Sequence, residues 1–268
     1  MRVNHWKQAI AGSGVAIALA LSFASPAIAH TAYMLPNVFA ANLEKQVTVQ
    51  SSFTEDFFQP EIAVNADDFH VILPDGSRGE FATIAKHKQV VVMESPMEVE
   101  GTYRFTTGVR HGRTGKMAMV DGKWQPVHGE VPAKATMVKT SQTETVSDVY
   151  VSKKAPTRAP VDVQIGRLVI QPVTHPSDVY LDGPFEFTVL FDGKPLSGQT
   201  VSIDRGGSRY ETVKYHKEIS TGEQGGATLS FDKPGVYILM TRHRADAPAG
   251  AEADIRSYTT TLTFEVQP

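Results

Sequence analysis

The 268-residue chain contains no cysteine. That absence excludes a disulfide framework, thiolate metal sites, iron–sulfur clusters, cysteine nucleophiles and a lipoprotein anchor. Long apolar runs are also missing. The one near the N-terminus ends at about Phe23 and is interrupted by Gly12, Ser13 and Gly14, too short for a comfortable membrane span. No second segment is long enough, so no membrane insertion of the mature chain is expected. Nor is there an excess of positive charge, with 26 basic against 29 acidic residues. That balance argues against nucleic acid or an anionic membrane as the main partner. Ser-His-Asp, paired-carboxylate and nucleophile-elbow constellations are absent too, and Gly206-Gly207 precedes no helix, so it is not a phosphate loop.

The N-terminus has the three parts of a secretory signal peptide. Arg2 and Lys7 give a positive start, the Ala/Ile/Val/Leu-rich run follows, and Pro26 precedes the small-x-small site Ala27-Ile28-Ala29. Cleavage after Ala29 places the protein in the periplasm with His30 as its first residue. Removing residues 1–29 from the 268 leaves 239. Loss of Arg2 and Lys7 takes the net charge from −3 to about −5.

What remains reads as strands. "KQVTVQSSF", "FHVILPDG", "KQVVVMES" and "EGTYRFTTG" are β-branched or aromatic-rich, bounded by Pro-Asp-Gly, Ser-Pro and Glu-Gly. "ATMVKTSQTETVSDVYVSK" lacks helical periodicity and reads as one or two strands. "RLVIQPV", "PFEFTVLF", "QTVSI", "ATLSF", "GVYILMTRH" and "SYTTTLTFEV" continue the pattern. Between the halves lies "KKAPTRAP", basic, with two prolines and no apolar pattern. The expected fold is all-β, two tandem Ig-like β-sandwich domains after a cleaved signal peptide. Residues 30–152 form the first domain, 153–160 a linker and 161–268 the second.

From Phe185 onward, "FEFTVLFDGKPLSGQTVSIDRGGSRY", "GGATLSFDKPGVYILMTRH" and "SYTTTLTFEV" resemble a bacterial periplasmic family, domain of unknown function 4198. The start "HTAYMLPN", the "PDG" turn and "VTHPSD" extend the resemblance over nearly the whole mature chain. That family is grouped with periplasmic components of cobalt and nickel uptake systems. The resemblance implies a periplasmic protein concerned with a transition metal, with a membrane transporter component as a partner. "GKPLSGQTV" and "KPGVYIL" occur in many Ig-like sandwiches and speak for fold more than function.

An N-terminal His30 offers its α-amine and imidazole Nδ1 as one chelate, at small proton cost near neutral pH. One further nitrogen suits Cu(II); other N/O ligands suit Ni(II) or Co(II). A signal peptidase must also cut somewhere, and a histidine after the cut by chance is the alternative. No His-x-His, His-x3-His or His-Glu-x-x-His spacing exists. His111 and His128 flank what reads as a Gly-rich loop, "VRHGRTGKMAMVDGKWQPVHGEV", and are the first-ranked partners for His30. His175 and Asp178 in "THPSD" are either a His–carboxylate pair or a turn whose polar groups satisfy one another. His70 alternates with Phe69, Val71 and Leu73 and is expected to be solvated. Arg205 and Arg209 in "DRGGSRY" suit a carboxylate grip or, preferably, a hairpin with exposed arginines. "SSFTEDFFQPE" reads equally as an acidic-aromatic recognition loop and as a buried aromatic corner. The methionines are scattered, which weakens a Cu(I) carrier.

These observations favour a periplasmic binding protein, not an enzyme, for a divalent transition metal (Ni, Co or Cu) or its small chelate. The alternative is a non-enzymatic Ig-like interaction module of an envelope assembly. A copper oxygen-activating enzyme trails, because nothing marks a substrate surface.

Overall fold

A computed structural model describes residues 30–207 and 211–268; the signal peptide and Arg209 lie outside these. The first half contains β1 (Thr31–Pro36), β2 (Gln46–Thr54), β3 (Ile62–Ala63), β4 (His70–Ile72), β5 (Arg78–Gly79), β6 (Thr83–Lys86), β7 (Val91–Pro96), β8 (Gly101–Thr106), β9 (Arg110–Val120), β10 (Lys123–Pro126) and β11 (Met137–Lys153). A four-residue helix, α1 (Ala159–Asp162), follows. The second half contains β12 (Leu168–Pro172), β13 (Phe185–Phe191), β14 (Lys194–Pro195), β15 (Thr200–Arg205), β16 (His216–Ser220), β17 (Gly226–Leu229), β18 (Gly235–Asp246) and β19 (Ile255–Val266).

The chain folds as two β-sandwiches in tandem, and they share a sheet. A ten-stranded sheet runs β16-β15-β18-β19-β11-β8-β4-β5, with the β9–β10 hairpin also on β11. Its two halves join where β11 and β19 run parallel, Ser141 beside Ile255 through to Val149 beside Thr263. The five-stranded sheet of β1, β2, β3, β6 and β7 completes the first sandwich; the four-stranded sheet of β12, β13, β14 and β17 completes the second.

Alternation along β11 puts the two cores on opposite faces of the shared sheet. Val149 and Val151 join Met34, Val47, Met93 and Phe105 in one core. Tyr150, between them in sequence, joins Phe185, Tyr237, Leu262 and Phe264 in the other. This explains why the end of β11 is buried on both sides, from Thr145 to Ser152. The long Thr/Val/Ser stretch is thus a single strand, bent by a register shift between Gln142 and Glu144.

β8 is likewise buried on both faces, because the connection after β11 crosses its far side. The Thr157 hydroxyl donates to the Pro74 carbonyl and accepts from the Thr102 N–H. Arg158 donates to the Pro172 and Val173 carbonyls. The Pro-containing stretch is therefore pinned along its length rather than free. The covered face carries Arg104, Ile72 and His70, so His70 is 4% exposed and not solvated as its alternation implied. Its Nδ1 lies 2.6 Å from the Asp68 carbonyl. The sequence pattern identified the face of β4 that His70 occupies, but not that this face is covered.

A buried ion pair lies beneath the crossing. Arg104 on β8 donates to Asp148 on β11 at 2.6 Å and to the Val163 carbonyl. Both side chains are almost fully buried, and Asp148 Oδ1 and Arg104 Nε have no other partner. A buried pair stabilises less than its geometry suggests, but removing one member strands the other. Arg104→Leu should therefore cost about 3–5 kcal/mol in urea unfolding, and Arg104→Leu with Asp148→Leu should cost less than that single change. A double variant no more stable than Arg104→Leu would refute this account of the pair.

Candidate functional site

His30 stands immediately before β1, whose pairing with β2 sets Thr31 beside Thr54 and Ala32 beside Phe53. β2 in turn pairs β3, with Phe53 beside Ile62, which brings the "TEDFFQPE" turn back towards His30. The Glu55 N–H and the Thr54 hydroxyl occupy Glu61 Oε1, at 2.9 and 3.0 Å. Glu61 Oε2 then faces His30 Nε2 at 3.1 Å, with a Glu55 oxygen 3.8 Å away. The Glu55 N–H foremost, then the Thr54 hydroxyl and the imidazole, hold the Glu61 carboxyl below the usual carboxylate range. Both carboxylate contacts fall on Nε2, and neither falls on Nδ1. A carboxylate set against one ring nitrogen is the arrangement that orients metal-ligating imidazoles.

The same turn carries features of both readings of "SSFTEDFFQPE". Phe58 packs edge-on to the buried Tyr33 ring at 5.1 Å and Phe57 at 6.4 Å. Phe58 also closes over Gly206, where a Cβ would meet its ring at 2.7 Å. The phenylalanines form an aromatic corner but stay half-buried, and Phe57 and Phe58 also line a hollow beside Gly206.

The other expected ligands are placed apart. The stretch read as a Gly-rich loop is the β9–β10 hairpin, closed by Asp121 (φ 50°) and Gly122 (φ 75°). Both residues have positive φ, as a two-residue primed turn requires; the Asp-Gly pair carried that signal, hidden among three other glycines. His111 sits low on β9 and directs Nε2 at Glu144 Oε2, 3.2 Å away, which also holds Arg256. His128 lies beyond Pro126, which faces Met117, well up the hairpin from His111, and is exposed.

His175 is engaged at both nitrogens. Its Nδ1 accepts the Ser177 N–H at 3.1 Å, so Nε2 carries the proton, towards the Thr157 carbonyl at 3.2 Å and the Thr102 hydroxyl at 3.1 Å. Asp178 closes the turn through its own N–H on the His175 carbonyl, and no His175–Asp178 side-chain bond forms. Here the turn reading describes the geometry. Arg205, expected exposed, is buried on β15 and pairs Glu211. Among the described residues, no three His, Asp or Glu side chains converge on one metal position.

What sequence reasoning missed is the pocket beside His30. A cavity of about 250 Å³ is lined by His30, Phe53, Arg110, Arg242 and Arg244, among others, over a floor of Ser and Thr hydroxyls. The register assembles it. Arg242 on β18 lies beside Thr259 on β19, and Arg244 beside Ser257. Thr259 and Ser257 lie beside Thr145 and Thr143 on β11, and Thr145 beside Arg110 on β9. Four strands, β9, β11, β18 and β19, supply the arginines and hydroxyls, with β1, β2 and β10 completing the lining, so only the alternation within each strand was visible beforehand.

A model of the family described as domain of unknown function (DUF4198) matches residues 27–245. The chain belongs to that family. No curated protein sequence matches it. Among solved structures, the D0–D1 domain of intimin matches at 10% identity and a TM-score of 0.24, covering 88% of this chain and 97% of that one. Trypsin-activated alpha-2-macroglobulin from Escherichia coli matches at 11% identity and a TM-score of 0.23, covering 91% of this chain but 16% of that one.

The His175 network makes a pH prediction. Burial foremost holds its imidazole below the ordinary value of 6.5, outweighing the Thr157 carbonyl and Asp178. The unfolded chain therefore takes up the proton first as pH falls, and stability present above about pH 6.5 declines on acidification. His243, lowered by burial and Arg167, acts in the same direction. His175→Asn should flatten, without abolishing, the fall in urea midpoint between about pH 7.5 and 5.5. An unchanged slope would show that this ring does not titrate with folding.

Proposed function

We propose that this member of the DUF4198 family is a periplasmic binding protein. Its cargo is a divalent transition metal, Ni, Co or Cu, or its small chelate, captured at His30 for a membrane uptake system. The observation that carries this reading is the Glu61–His30 contact, 3.1 Å from carboxylate to Nε2. It leaves Nδ1 available beside the α-amine that cleavage after Ala29 exposes, and those two nitrogens form the chelate that N/O-seeking divalent metals favour. Glu61 acts as a positioning residue, held by Thr54 and Glu55. Since the described side chains do not converge as a three-ligand cage, the α-amine and the donors of the incoming chelate complete the set. The grouping of the family with cobalt and nickel uptake supports the same choice of cargo. The protein's part is capture and release; no bond of the ligand is broken.

The test is calorimetric titration of Ni(II), Co(II) and Cu(II) into protein whose first residue is verified as His30. One-to-one binding is expected. It should be lost when one residue precedes His30, and weakened about 10–100-fold in Glu61→Gln, the range for a carboxylate that orients a ligating imidazole. Equal binding with and without the extra residue would overturn the proposal.

A further inference from the structure

Most arginines among the described residues hold a carboxylate. Arg78 has Asp68, Arg104 has Asp148, Arg158 has Asp162, Arg167 has Asp192, Arg205 has Glu211 and Arg256 has Glu144. Among the described residues, Arg110, Arg113, Arg242 and Arg244 do not. Three of those four line the cavity beside His30, and no acidic residue does. A chain with net negative charge has thus gathered its uncompensated arginines around one concavity.

Two of the three are held in place. Arg242 Nε donates to the Thr259 hydroxyl at 3.0 Å. Arg110 Nε donates to the Asn65 carbonyl at 2.8 Å, and its guanidinium lies over the Phe53 ring, 4.9 Å from the centroid. Arg110 is half-buried and Arg242 exposed; partial loss of hydration lowers both from the ordinary arginine range, and for Arg242 the charge of Arg244 adds to it. Arg242 and Arg244 lie together without a counter-charge and Arg110 faces them across the pocket, an arrangement that a bound anion would relieve.

We propose that this pocket binds a small di- or tricarboxylate. Guanidinium forks match planar carboxylates in a bidentate manner. Arg110 and Arg242 are separated by β11 and β19, three inter-strand steps of about 4.8 Å, roughly 14 Å between backbones. A ligand reaching from one end to the other carries acidic groups at two ends. The hydroxyls of Thr143, Thr145, Ser257 and Thr259 lie along the floor between the arginines. They offer donors and acceptors to the middle of such a molecule, and a volume of about 250 Å³ limits it to a small one. The pocket shares His30 with the proposed metal site, but its three arginines would hold a carboxylate whether or not a metal is bound.

The experiment is calorimetry in metal-free buffer, on protein carrying one residue ahead of His30 so that the proposed metal site is disabled. The probes are citrate, succinate, inorganic phosphate and glucose. One-to-one binding of citrate or succinate is expected, weakening with salt. Loss of at least about tenfold is expected in Arg242→Gln/Arg244→Gln and, separately, in Arg110→Gln, as for charge-assisted bonds. Arg113→Gln removes an unpaired arginine outside the pocket and should bind like the parent. Thermal unfolding of each variant verifies the fold; should the double variant unfold, Arg110→Gln against Arg113→Gln decides the matter. No binding of either carboxylate, equal loss in Arg113→Gln, or binding of phosphate alone would overturn the proposal.

Discussion

The parallel pairing of β11 with β19 is the constraint from which the rest of the architecture follows. Parallel neighbours in one sheet require a crossover, and here the crossover is the entire second sandwich. The pairing fuses two sheets into one and leaves no cleft of solvent between the sandwiches at that seam. It also forces the residues of β11 to serve two cores at once, Val149 and Val151 on one face and Tyr150 on the other. Sheets buried on both faces read as continuous rather than alternating patterns. β11 does so with Thr, Ser and Asp among its apolar residues, which is why hydroxyl and ion-pair networks accompany the seam.

Those networks divide the polar groups into two classes. In the first, the charged and hydroxyl groups pair inside the protein: Arg104 with Asp148 beneath the connecting segment, and Thr102, Ser152, Ser177 and His175 in a chain of hydrogen bonds where the halves meet. In the second, the groups are left facing a cavity: Arg242 and Arg244 on β18, Arg110 on β9. The difference follows from the position of the first sandwich's outer sheet. β1 reaches over β19 as far as the Thr261 hydroxyl, which donates to the Ala32 carbonyl. Beyond that point the same face of the shared sheet continues with Thr259 and Ser257, which line the pocket while staying largely buried. The pocket is the step at which one sheet ends and the other goes on.

Much of this fold was legible in sequence, because strand patterns and turn residues are local. The β-branched runs, the Pro-Asp-Gly and Asp-Gly-Lys-Pro turns and the absence of helical period all reflect period-2 burial, which a single segment displays. The sheet shared by both sandwiches was not legible, since pairing Ser141 with Ile255 is a statement about residues far apart. His70 shows the same limit: alternation identified its face, and only the fold revealed that this face is buried. The site divides likewise. His30 stood out because a cleavage signal is local; Glu61 did not, although the acidic-aromatic stretch containing it had been singled out. The arginine pocket left no trace, because four strands supply it and each arginine alone looks like an ordinary surface residue.

The two proposed sites meet at one rim, since His30 lines the arginine pocket. Fixed positive charges beside a metal-binding nitrogen disfavour a bare dication and favour a metal whose charge is covered by acidic chelating groups. Glu55 and Glu61 lie on the other side of His30 and partly offset that field. A metal bound to a small polycarboxylate answers both halves of the rim at once, nitrogen donors to the ion and guanidinium forks to its carboxylates. On that reading cleavage after Ala29 creates one end of the binding site, and the seam between the sandwiches supplies the other.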